Sequence, residues 1–208
     1  MKMHNGTPTP HIDGKPVFAG YLWTPRPSVE GYPAAAATEH YAAAGIHLHA
    51  FDVGVGHEWC GPGEGRASDY DFDTVEQRFG HIIEADPEAR FHLRLQLELS
   101  PRELWWHNRH PQEREVDSGG NPTTQSHASP VWRQQANDFL TQFAQHLKDI
   151  GMAERVFAYQ TGAGHTGEWV KGLTSMRTPC GDYSAPMAQH FRLWLEEHYG
   201  DEEALRDA

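Results

Sequence analysis

In RFHLRLQLELS, from Arg90 to Ser100, Leu93, Leu95, Leu97 and Leu99 alternate with Arg94, Gln96 and Glu98. A period of two puts the leucines on one face of a β-strand and the polar residues on the other. A central strand of an open doubly wound sheet is apolar on both faces, because helices cover both. A polar second face suits a barrel, whose interior becomes a ligand site near the carboxyl ends of the strands.

Strand and helix patterns alternate around this segment. PVFAGYLW (Pro16 to Trp23) is predicted as the first strand, and AAAATEHYAAAG as a helix closed by Gly45. IHLHAFDV (Ile46 to Val53) follows as the second strand. Asp73 and Glu76 have capping-box spacing, and Val75, Phe79, Ile82 and Ile83 make one helical face that ends before Pro87. Ser129 and Pro130 start the longest helix, striped by Trp132, Ala136, Phe139, Leu140, Phe143, Leu147 and Ile150. RVFAYQ is the fourth strand. Ser184 and Pro186 open a helix striped by Met187, Phe191, Trp194 and Leu195 and stopped at Gly200. Such alternation implies parallel strands, since each connection crosses back over the sheet. The first βα turn has no GxGxxG or GxxxxGK[ST] loop, which argues against a nucleotide-binding doubly wound sheet. The expected fold is α/β: a partial TIM (β/α)8 barrel of the first four βα units. Residues 1–208 then form the N-terminal half of a barrel domain, truncated.

Composition narrows the partners. A net charge of -12 without a basic stripe argues against nucleic acid. No apolar run approaches the ~20 residues of a membrane span. MKMHNGTPTPHIDGKP has no apolar stretch for a secretory signal. Cys60 and Cys180 form no CxxC pair. A cytoplasmic protein without a cofactor is expected.

The candidate functional residues collect where strands end. Trp23 and Arg26 follow the first strand; Asp52, His57, Glu58 and Trp59 follow the second. Glu98, Trp105, Trp106, His107 and Asn108 follow the third, and Gln160, His165, Glu168 and Trp169 the fourth. Tryptophan faces beside carboxylates, amides and an arginine suit a sugar, because rings cover C–H faces while polar groups take hydroxyls. Glycoside hydrolysis needs one carboxyl group to protonate the leaving oxygen and a second to attack carbon or activate water. In VFAYQTGAGHTGEWVKG, Gly162, Gly164 and Gly167 let the backbone turn sharply and bring Glu168 close to a ligand. Glu168 is therefore the catalytic candidate. Trp23, Arg26, Asp52, Trp59, Glu98, Trp105, Trp106, Gln160, His165 and Trp169 are the candidates for binding a carbohydrate.

FAGYLWTPRP, SPVWRQQANDFLTQFAQHLKD, VFAYQTGAGHTGEW and FRLWLEEHYGDEEALRDA together resemble the catalytic barrel of clan A glycoside hydrolases, nearest to the family 42 β-galactosidases. The resemblance implies a retaining enzyme acting on a β-linked sugar, with Glu168 as acid/base at the end of strand four. The clan usually has asparagine before that glutamate, bonding the sugar 2-hydroxyl; here stands Gly167, so His165, Gln160 or a residue elsewhere must supply the bond. The clan's nucleophile comes from strand seven, which implies that this chain carries the acid/base without its partner and is inactive alone. A homo-oligomer is possible for the complete form.

Two readings compete. His47 and His49 form an HxH pair like that of metal-dependent amidohydrolases, where neutral imidazoles hold an ion that activates water. A non-catalytic carbohydrate-binding remnant is the other. Half a barrel also exposes two sheet edges, so the isolated chain is expected to be poorly soluble or to dimerise through them.

Overall fold

Two short antiparallel hairpins open the chain in the computed structural model, which describes residues 2–24, 34–63, 68–164, 167–169 and 181–208. The first pairs β1 (Lys2–His4) with β2 (Thr7–Thr9), the second β3 (His11–Ile12) with β4 (Lys15–Pro16). Asn5-Gly6 and Asp13-Gly14 make the turns, all with φ between 49° and 78°. Two successive left-handed residues are what a type I′ hairpin turn requires. The sequence reading assigns no element here and begins strand one at Pro16. Instead Lys15 and Pro16 belong to a hairpin, and strand one is the short β5 (Leu22–Trp23).

Then follow α1 (Ala34–Ala43), β6 (Leu48–Gly54), α2 (Asp73–Ala85), β7 (Arg90–Gln96), α3 (Leu104–Arg109), β8 (Arg114–Val116) and β9 (Pro122–Gln125). The chain continues through α4 (Pro130–Asp149), β10 (Val156–Gly162), α5 (Ala185–Tyr199) and α6 (Glu202–Asp207). One parallel sheet has the order β10-β7-β6-β5. Each new βα unit adds its strand beside the previous one, with no reversal of order. A doubly wound sheet would reverse at a switch point. The fold is therefore α/β, a four-stranded parallel sheet flanked by helices, consistent with a partial (β/α)8 barrel.

Register sorts the side chains into two faces. Phe51 and Val53 of β6 pair with Leu93 and Leu95 of β7, and all four are buried on the helix side. Val75, Phe79 and Ile82 of α2 and Trp132, Ala136, Phe139, Phe143 and Leu147 of α4 complete that core. Each fully buried Leu or Phe contributes about 1.5–3 kcal/mol. The other face carries Ala50 and Asp52 of β6 opposite His92 and Arg94 of β7, the polar set read from the alternation.

The helix caps follow the sequence in part. Ser129 accepts from the Trp132 N–H with Pro130 in the first turn, and Ser184 accepts from Met187. The box from Asp73 to Glu76 does not form: Phe72 is the cap residue, and the Asp71 carboxylate takes the Asp73 N–H instead. In α5 the expected stripe exists but covers no core; no residue of that helix is buried.

A buried arginine ties the sheet to its helices. Arg78 of α2 lies over the Phe51 ring, 4.1 Å from its centre, and donates to the Asp52 and Thr24 carbonyls at 2.9 Å each. It fastens the carboxyl ends of β5 and β6 together from behind. On the other side of the sheet's centre, the loop from β7 to α4 folds back as α3 and the β8–β9 hairpin. Gln125 at its end is fully buried; it accepts from Leu99 N–H at 2.7 Å and donates to the Ala163 carbonyl at 3.4 Å. That side chain bridges the exits of β7 and β10.

Candidate active site

At the carboxyl ends of β6, β7 and β10, three side chains form a charged row. Arg94 places one guanidinium nitrogen 3.1 Å from Asp52 and another 3.2 Å from Glu168. The Arg94 and Asp52 side chains are 16% and 17% exposed, whereas Glu168 is 45% exposed and reaches the open side. The arginine divides one positive charge between two carboxylates, so Glu168 is held in place without being enclosed.

Two of the glycines before Glu168, Gly162 and Gly167, meet a steric need. A Cβ on Gly162 would stand 2.1 Å from the Gly167 carbonyl oxygen, so only glycine lets the two segments touch there. Gly167 has φ +82°, in the left-handed region. Its own Cβ would lie 3.2 Å from Gln96 Nε2 and 3.3 Å from an Arg94 nitrogen. Gly167 thus lies against the polar face of β7, and Gln160 donates weakly to the Gly167 carbonyl at 3.5 Å. Gln96, which sequence reasoning left among the barrel-lining residues, borders the site directly; its place in the alternation beside Arg94 was the available signal.

The tryptophans separate into two groups. Trp23 is exposed on the face shared by Ala50 and Asp52, and Trp169 is exposed beside Glu168, edge-on to His127 at 5.9 Å. His127 in turn bonds the Ala163 carbonyl at 3.0 Å. Trp59 and Trp106 are buried. Trp59 stacks on Phe139 at 5.6 Å, and Trp106 donates to Gln135 at 2.7 Å. Apolar burial beneath the loops took both rings, so their place is in the core and not along a subsite wall. Trp105 is half-buried over Gly61 and donates to Glu103 at 3.1 Å. Glu98 is half-buried just past the end of β7, and Glu58, in the loop after β6, is fully buried, accepting from Gly54 N–H at 2.8 Å. Arg26 and His165 lie outside the described residues.

His47 and His49 sit at the amino end of β6, away from this row. Both bond one buried carboxylate, that of Asp86 after α2, each at 2.9 Å. They share the helix-facing side with Phe51, and His49 lies 6.3 Å from the Phe91 ring. Among the described residues no group of three or more His, Cys, Asp or Glu is arranged to hold a metal ion. The pair thus serves the floor of the sheet. Burial pushes the Asp86 carboxyl up, but hydrogen bonds from His49 and His47, the His47 charge and the Glu88 N–H outweigh it and hold it below the usual range.

No protein-family model and no curated protein matches the chain in sequence. Solved structures do match in fold. The β-galactosidase of the psychrophilic Marinomonas ef1 superposes with a TM-score of 0.59 at 17% identity, over 90% of this chain and 26% of that one. The polyextremophilic β-galactosidase of the Antarctic haloarchaeon Halorubrum lacusprofundi gives 0.57 at 16% identity, over 89% and 26%. The catalytic domain of a β-amylase from Paenibacillus polymyxa gives 0.58 at 12% identity, over 90% and 50%. The chain thus spans about a quarter of the β-galactosidases and half of the amylase domain. Likeness this even between unlike enzymes establishes the fold alone, that of a partial (β/α)8 barrel, and singles out no one family.

Proposed function

We propose that this chain forms the acid/base half of a retaining glycoside hydrolase of the β-galactosidase type, cleaving a β-linked sugar. The observation that carries the reading is Glu168: a half-exposed carboxylate at the carboxyl end of β10, tethered to Arg94 on the inner face and followed by an exposed Trp169. In that role Glu168 protonates the leaving oxygen in the first step and takes a proton from water in the second. Trp23 and Trp169 are the walls against which a sugar ring would lie. Asp52 and Arg94 form the charged floor, and Gln160 braces the loop.

The residue elsewhere that takes over from the missing asparagine is Gln96. Its amide fills the space into which a side chain at position 167 would project, and we assign it the bond to the sugar 2-hydroxyl. The second carboxylate belongs to the strands that complete the barrel, so the 208-residue chain alone should not hydrolyse nitrophenyl β-galactosides. In a complete barrel, Glu168→Gln should cut turnover by about 10²–10⁴. Substrates with activated leaving groups should suffer least, because they need little protonation. An equal loss across leaving groups would remove Glu168 from the acid role.

A further inference from the structure

We propose that Ser126 and Asp182 are positioning residues for Glu168: their bond completes a clamp that fixes both ends of the segment carrying that carboxylate to one hairpin. The inference rests on the reading of Glu168 as acid/base and adds what holds the group in place.

Three consecutive residues make the clamp. β9 ends at Gln125, and Ser126 and His127 follow it. Gln125 and His127 both bond the Ala163 carbonyl, at 3.4 and 3.0 Å, and so occupy its two lone pairs. Ser126, between them, donates instead to one Asp182 carboxylate oxygen at 2.5 Å. The other oxygen of Asp182 accepts from the Ser184 N–H at 3.0 Å, and Ser184 caps α5. One tripeptide thus binds residue 163, just past β10, and residue 182, just before α5. A backbone bond seconds the far anchor, the Tyr183 N–H donating to the Val116 carbonyl of β8 at 2.7 Å. Residues 164–181, Glu168 among them, lie between the two anchors.

The base of the clamp is rigid and dry. Gln125 and Ser126 are fully buried, and Ala163 is nearly so. Gln125 also accepts from the Leu99 N–H, and the Ser126 N–H donates to the Glu113 carbonyl at 2.9 Å. Ser126 Oγ accepts from the Ala128 N–H at 3.2 Å, which leaves its own O–H for Asp182. Away from water such bonds have no solvent substitute, so each broken one is felt in full. A segment held at both ends also samples far fewer conformations than one held at a single end. Arg94 alone cannot supply that restraint, because Glu168 is 45% exposed and an ion pair open to water fixes geometry weakly. His127 carries the restraint closest: the ring that binds Ala163 stands edge-on to Trp169, the residue after Glu168. Proton transfer needs this precision, since a misplacement of about 1 Å can cost about 10²-fold in rate.

Hydrogen exchange on the 208-residue chain tests the clamp without recourse to activity. Ser126→Ala and Asp182→Ala remove the same bond from opposite sides. Each should speed exchange at Gly167, Glu168 and Trp169 by about tenfold, the scale of one buried hydrogen bond. Amides of Phe79 and Leu147 in the core should change far less. The double variant should exchange no faster than either single one, because both act through one bond. In chains labelled with 5-fluorotryptophan, the Trp169 resonance, assigned by its loss in Trp169→Phe, should move in both variants and return with Ser126→Thr. In a complete barrel, Ser126→Ala should lower kcat by about 10²-fold with KM little changed, and more for poor leaving groups than for activated ones. Exchange at Gly167 to Trp169 that rises no more than in the core, or a double variant that sums the single effects, overturns the clamp and leaves the acid role of Glu168 standing. A loosened segment together with full activity of Glu168→Gln overturns the acid role and leaves the clamp standing.

Discussion

The amide of Gln96 and the backbone of Gly167 are packed so closely that a Cβ on the glycine would stand 3.2 Å from Nε2. The two positions therefore act as a pair: the one lacks a side chain because the other supplies an amide to the same space. Gly167→Asn alone should destabilise, mainly through the 3.2 Å contact with Gln96 Nε2, since asparagine tolerates the left-handed backbone at φ +82° better than other L-residues do. Introduced together with Gln96→Ala, the asparagine should cost less than the sum of the single changes, with a coupling of about 0.5 kcal/mol or more. Urea unfolding of the four proteins of this cycle measures the coupling; strict additivity would show that the two sites do not share space.

Arg78→Met should be among the more damaging substitutions on α2. Methionine fills part of the volume but leaves the Asp52 and Thr24 carbonyls without their buried donor, at about 1–3 kcal/mol for each unsatisfied group. For a chain of this size each 1 kcal/mol lowers Tm by about 2–4 °C. Thermal unfolding followed by circular dichroism should show the loss, and Arg78→Lys should recover only part, because one ammonium cannot span both carbonyls as the fork does.

Gln125→Leu tests the opposite exit. The change strands the Leu99 N–H, which now donates at 2.7 Å, and should cost about 1–3 kcal/mol. Hydrogen exchange at Leu99 and Gly164 should quicken more than in α2, which the side chain does not touch.

Acid should weaken the fold in two stages. Burial holds His92 below the ordinary histidine range, with the Arg94 charge adding to it, and burial does the same for His107 and His110. The unfolded chain therefore binds these protons first. Stability is intact above about pH 6.5 and declines as pH falls from there toward the lowered folded values. Asp86 acts in a lower window. Its folded value is depressed, so its contribution is present above about pH 3.9 and is lost as pH falls through the folded value. Urea midpoints across this range should trace both declines. His47→Gln should shrink the lower one, because one of the two bonds holding the carboxylate is altered.

The sheet was legible wherever a strand repeated its pattern for several residues. Leu93 to Leu99 read correctly as one buried face, and Ser129 with Pro130 marked the start of α4. Strand one was misread because Val17 and Phe18 have strand propensity, yet Asp13-Gly14 draws Lys15 and Pro16 into a hairpin. Asn-Gly and Asp-Gly are strong local hairpin signals, and both were there to be weighed. The tryptophans show the other limit. Trp23 and Trp59 each stand near a strand end, but exposure depends on what the following loop packs against, and Phe139, on which Trp59 stacks, lies 80 positions further along the chain in α4. Arg78 was hidden in the same way: its partners are the carbonyls of Thr24, just past β5, and of Asp52 in β6, which carry no side-chain signature.

Arg90 carries a consequence for assembly. It binds the Asp13 carboxylate at 2.8 Å and the Glu154 carbonyl at 3.0 Å, partners 77 and 64 positions away. Closing loops that long is costly until intervening strands have already collapsed. The β3–β4 hairpin that carries Asp13 should therefore lock last during refolding, and pulse-labelling should find its amides the latest to gain protection.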